Sequence, residues 1–158
     1  MAERKSTQIT NIDASDFVST NELGGRERIA KFDYTVATVA VGDTVLLTKI
    51  PAGARFVGGA IDFEDLGTSV ALDLGIKGAD GSGYIDQADS VADDPDYFLD
   101  GIDVSSAGQD TVAELAQGDS NALSTIDKSC YLYATNTAAS NAWTDDAVIK
   151  GVLKYVVD

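Results

Sequence analysis

Apolar residues recur at every second position along most of this chain, and that spacing predicts strands. Ile29 to Val39 is rich in β-branched and aromatic residues, with Phe32, Tyr34 and Val36 on one side. Thr44 to Ile50 follows and stops at Pro51-Ala52-Gly53, a strong turn signal. Ala54 to Phe63 alternates again, placing Val57, Gly59, Ile61 and Phe63 on one face; the pair Gly58-Gly59 predicts a bulge or a close backbone approach. Val70, Leu72, Leu74 and Ile76 give the cleanest period of two, with Ala71, Asp73 and Gly75 opposite. Tyr97 to Leu99 and Ile102 to Val104 supply short strands or one strand with a bend. Ser129 to Thr135 sets Cys130, Leu132 and Ala134 against Tyr131 and Tyr133. Ala147 to Val157 puts Ile149, Gly151, Leu153, Tyr155 and Val157 on one face and Val148, Lys150, Val152, Lys154 and Val156 on the other. The second of these faces is mixed, as suits a partly covered sheet.

One short helix is predicted, one or two turns over Thr111 to Ala116 and ended by Gly118. Seven or eight strands between turn clusters indicate an all-β fold, an antiparallel β-sandwich of jelly-roll-like form. Residues 28–158 are assigned to it. Residues 1–27 read as an extended N-terminal arm: Ser, Thr, Asn and Asp dominate, Ile9, Ile12, Phe17 and Val18 are isolated, and Gly24-Gly25 marks the boundary. Such an arm is either a frayed terminus or a segment that orders on a neighbouring subunit.

Charge narrows the choice of function. With 11 Lys and Arg against 26 Asp and Glu the formal charge is −15, a field that repels phosphate backbones, so no direct nucleic-acid partner is expected. The chain has no His, which removes His-based acid–base catalysis and the commonest metal ligand. A lone Cys130 excludes an intrachain disulfide and a multi-Cys zinc site, and its place in a strand makes it a small core residue. No apolar run approaches the ~20 residues that span a bilayer, so no membrane partner is expected. The polar first residues do not read as a signal peptide, which points to synthesis in a reducing host cytoplasm. No enzyme and no cofactor are expected.

Three features remain as candidate chemistry. Gly78 to Asp89 has partial calcium-loop spacing, with Asp80, Ser82, Asp86 and Asp89 as ligands and Gly83 at the sharp turn, but it lacks an acidic first position and follows a strand. A Gly/Asp-rich hairpin turn accounts for the same residues, and no metal site is assigned. Between Gly78 and Asp127 there are twelve acidic residues and no Lys or Arg, either a patch for a basic partner or a solubilising surface. Trp143 with Tyr131 and Tyr133 would suit a carbohydrate platform, or equally a core or interface anchor.

The run Val41 to Phe56, with Ile50-Pro51-Ala52-Gly53-Ala54-Arg55 at its centre, together with Ala60 to Gly75 and Asp94 to Leu99, resembles small tailed-bacteriophage proteins that decorate or cement the capsid shell. The likeness covers roughly residues 29–157, and head fibre, neck and tail components share the same strand-turn-strand pattern. The resemblance implies a homotrimer on the capsid surface of the virion, bound to the major capsid protein and stabilising the shell. On this reading Arg26, Arg28 and Lys31 at the root of the arm, with Phe17 and Val18 within it, are the candidate partner-binding residues.

Overall fold

A computed structural model describes residues 27–79, 94–112 and 126–157. Eight strands occupy them: β1 (Arg28–Thr35), β2 (Thr44–Ile50), β3 (Ala54–Phe63), β4 (Ala71–Gly78), β5 (Asp94–Asp103), β6 (Gly108–Thr111), β7 (Cys130–Asn136) and β8 (Val148–Val157). They form two four-stranded sheets, ordered β1-β8-β3-β6 and β2-β7-β4-β5, with every pair antiparallel. Strands β1 and β8, β2 and β7, β3 and β6, and β4 and β5 are all neighbours. A long hairpin pairing each strand with its mirror in chain order, then rolled into two layers, is the jelly roll. The expected fold class is therefore observed; the arm, apart from Glu27, lies outside the described residues.

The facing sides of the sheets supply the core. Phe32, Ile61, Ile149 and Leu153 come from one sheet and Ile50, Leu72, Leu74, Ile76 and Leu132 from the other, all buried. Cys130 sits among them with no exposure, and burial pushes its thiol up to about 12, so almost no thiolate exists near neutral pH.

Bulges adjust three strands. The register of β3 on β8 shifts between Phe56 and Gly58, where Gly58 takes a φ of 141°. This is the bulge that the glycine pair predicts, and it also corrects the expected face. Val57 is half exposed, whereas Ala54 and Phe56 on its other side are buried, because the extra residue reverses the alternation ahead of Gly59. In β2 the shift falls between Leu46 and Thr48. In β5 it is larger: from Leu74 to Ile76 the partner steps from Leu99 to Asp94. The surplus residues turn both Tyr97 and Phe98 inward, where they meet Phe56 edge-on, Phe98 at 4.9 Å and Tyr97 at 5.9 Å between ring centroids. Of the two readings of this stretch, one strand with a bend is the one observed.

The helix expected from Thr111 is corrected at its start, since Thr111 pairs with Ala60 in β6 and Val112 donates to the Gly59 carbonyl. Once Gly108 to Thr111 can complete a ladder on β3, a helix too short to be stable alone does not compete. Residues 113–116 lie outside the described part.

Candidate functional site

One end of the sandwich is fastened by its own loops. Asn136, fully buried, donates through Nδ2 to the carbonyls of Val39 and Asn141 at 3.3 and 3.0 Å, and its Oδ1 accepts from the Ala138 amide at 3.1 Å. Thr38, at a φ of 50°, donates its amide to Asp145 Oδ1 at 2.6 Å. Trp143 is 3% exposed and its indole N–H points to the Ala71 carbonyl at 3.4 Å. A buried ring offers no face to a sugar, so Trp143 is an anchor of this end and the platform reading is corrected. Tyr133 is buried too, and Tyr131 is half-buried.

The candidate partner-binding residues fall on β1 or ahead of it. Arg26, Phe17 and Val18 lie outside the described residues, as do Asp80, Asp86 and Asp89 of the loop considered for calcium. Arg28 and Lys31 are three apart on a strand and therefore leave from opposite faces. Arg28 shares its face with Ala30, Phe32 and Tyr34 and stands opposite Tyr155. Burial pushes the Tyr155 hydroxyl up, and the Arg28 guanidinium pulls it back in part. Lys31 is exposed on the outer face opposite Val152. The structure therefore separates these two cations, a consequence of their odd spacing.

The outer face around Lys31 is an open, shallow depression of about 440 Å³ lined by Lys31, Phe32, Asp33, Lys150, Gly151 and Val152. Lys150 pairs with Asp62 at 3.2 Å and Lys154 with Glu27 at 3.5 Å, all four side chains well exposed. Val148, Val152 and Val156 share this face and are half-buried, with no strand over them among the described residues. It is open and shallow, unlike small-molecule sites, which are enclosed and convergent.

The other sheet presents a different outer face. Lys49, Tyr131 and Lys77 form one cross-strand row, with the Lys49 ammonium 5.9 Å from the Tyr131 ring and the Lys77 ammonium 5.2 Å from the Tyr133 ring. The sequence reading did not single out these lysines. Their signal lay in the registers, which bring three strands into one row and which no local pattern contains. Among the described residues no three His, Cys, Asp or Glu side chains converge to hold a metal ion, and no helix is long and apolar enough to cross a membrane.

The described residues form an eight-stranded jelly roll with open outer sheet faces. Solved structures with the same fold include a chain of the capsid of Ralstonia phage GP4, 20% identical, covering 91% of this chain and 92% of that one at a TM-score of 0.66. A chain of the cyanophage Pam1 capsid asymmetric unit is 17% identical over 86% of this chain and 88% of that one, TM-score 0.57. A chain of the acid-stable capsid of Helicobacter pylori bacteriophage KHP30 is 14% identical over 85% and 90%, TM-score 0.51. No protein-family model and no curated protein sequence matches the chain.

Proposed function

We propose that the protein is a structural component of a phage virion, and specifically a decoration protein that binds the major capsid protein on the outer surface of the head and stabilises the shell. The observation that supports this most is the extent of the structural likeness. Chains within three phage capsids match it nearly end to end, so they are jelly rolls of about this length and not larger proteins containing one. A stiff two-layer sandwich suits such a role without chemistry. Seated across the junction of shell subunits, its binding free energy opposes their separation, and many weak identical contacts sum through multivalency. Assembly as a homotrimer would multiply those contacts, and the arm at residues 1–27 would extend each onto a neighbour.

The test is binding of the purified protein to expanded phage heads that lack it, read by co-sedimentation and by electron microscopy of the particle. Stoichiometric density on the head surface, with a higher temperature of head rupture, is expected. Density confined to the neck or tail would overturn the decoration role. Deletion of residues 2–25 is expected to weaken binding at least tenfold, and unchanged affinity would remove the arm from the contact.

A further inference from the structure

The outer face of the β1-β8-β3-β6 sheet is apolar and positive at one end. The registers set Ile29 beside Lys154 and Lys31 beside Val152, with Val156 further along β8 next to Arg55. Ile29 on β1 and Val57 on β3 are two of the four large hydrophobic side chains that stand exposed among the described residues. Val152 and Val156 are half-buried, and no described strand lies over them. Asp33 and Lys150 belong to the next row, where Lys150 is paired with Asp62. Ile29, Lys31, Val152, Lys154 and Val156 thus form one apolar and cationic patch, in a chain whose overall charge is −15.

The chain enters the fold at this patch. Glu27, directly ahead of β1, reaches Lys154 at 3.5 Å, so its side chain lies on the outer side with Ile29. The preceding stretch from Ser6 to Gly25 holds Asp13, Asp16 and Glu22 and no Lys or Arg, with Ile12, Phe17, Val18 and Leu23 as its nearer apolar members. Its charge and its apolar residues therefore complement those of the patch. Gly24-Gly25 supplies a place for the chain to reverse. The eight residues from Asp16 to Leu23 reach about 26 Å when extended, as far as the eight of β1.

We propose that residues 12–23 fold back over the outer face of β1 and β8 of their own chain. Phe17 and Val18 then cover Ile29, Val152 and Val156, and the acidic side chains turn toward Lys31 and Lys154. The tether selects this occupant: a segment attached at Glu27 meets the patch at an effective concentration on the order of millimolar, which a partner in solution must exceed. The lysines of the opposite sheet, Lys49 and Lys77, stand on the far side of the sandwich from Glu27. While docked, the segment closes the patch to other partners, and an arm that is to reach a neighbour must first leave it. This docking belongs to the free chain and does not rest on the virion role. A chain that docks its arm yet ignores phage heads would refute decoration alone.

The experiment places a nitroxide on Ser15→Cys in the full-length chain and reads the broadening of backbone amide signals by NMR. Cys130 is buried, so the introduced thiol alone takes the label. The amides of Val152 and Lys154 are expected to lose more than half of their intensity while those of Lys49, Lys77 and Tyr131 keep most of theirs. Lys31→Glu/Lys154→Glu is expected to remove that difference, and Lys49→Glu/Lys77→Glu to leave it. Equal broadening of both faces, no broadening, or a difference that survives reversal of Lys31 and Lys154 would each overturn the proposal. A labelled chain mixed with an unlabelled, isotope-enriched one tests a second copy as the occupant: broadening of equal strength between chains refutes docking on the own face, and its absence supports it. Should charge reversal disturb the fold, Lys31→Gln/Lys154→Gln gives the reading: loss of at least half of the broadening supports the docking, and wild-type broadening refutes it.

Discussion

Strand β8 in one sheet and β4 in the other are built on the same plan, with large apolar residues facing inward and a mixed row behind, yet they end in different surroundings. Behind β8, Lys150, Val152 and Lys154 stay open or half-buried. Behind β4, Asp73 is only 8% exposed and Gly75 is buried. The cause is the start of β5, whose backbone at Asp94 and Pro95 crosses so close to Gly75 that a Cβ there would lie 2.0 Å from the Asp94 carbonyl oxygen. Asp73 is held down beside it, its Oδ1 accepting from the Gly101 amide at 2.7 Å and from the Thr137 hydroxyl at 3.1 Å. Alternation tells which residues face the interior. Whether the reverse side is covered depends on a strand some twenty residues away.

This contrast can be broken most severely at Gly75. Gly75→Ala is expected to cost about 3 kcal/mol or more, because the clash is with backbone that no rotamer change relieves. Urea unfolding measures it, and a loss below about 1 kcal/mol would mean that β5 does not lie across β4. Asp73→Ala removes the acceptor of the part-buried Gly101 amide and is expected to cost about 1–3 kcal/mol. Near-neutrality in the same assay would place Asp73 in water. Behind β8 the smallest effect is expected. Lys150→Ala breaks an exposed pair with Asp62 and should shift stability by at most about 0.5 kcal/mol, less still in high salt. A larger loss would show that this sheet face is also covered.

Most strands were readable because their inward rows are uninterrupted, as at Leu72, Leu74 and Ile76 or Ile149, Gly151 and Leu153. The misreadings have separate physical causes. Val57 was placed inside because a period of two carries no record of an inserted residue, although Gly58 marked where one would fall. Thr111 looked helical because its ladder partner, Ala60, is remote in sequence. Tyr133, which alternation sets with Tyr131 on the side away from Leu132, is buried there, with the Lys77 ammonium 5.2 Å from its ring. The candidate site was less readable than the fold. Arg28 and Lys31 are close in sequence and diverge in space, whereas Lys49 and Lys77 are distant in sequence and flank one tyrosine.

The mirror pairing of strands also sets an order in time. The innermost pair, β4 with β5, can close as soon as its own loop is made, and each pair outward must enclose a longer stretch of chain at a higher entropic cost. Among the described residues strand β1 has one neighbouring strand, β8. A ribosome making this protein therefore delivers β1 first among the strands and its partner last. Throughout that interval Ile29 and Phe32 have no sheet to join, so the period of greatest exposure to aggregation or chaperone capture runs from the emergence of β1 to that of β8.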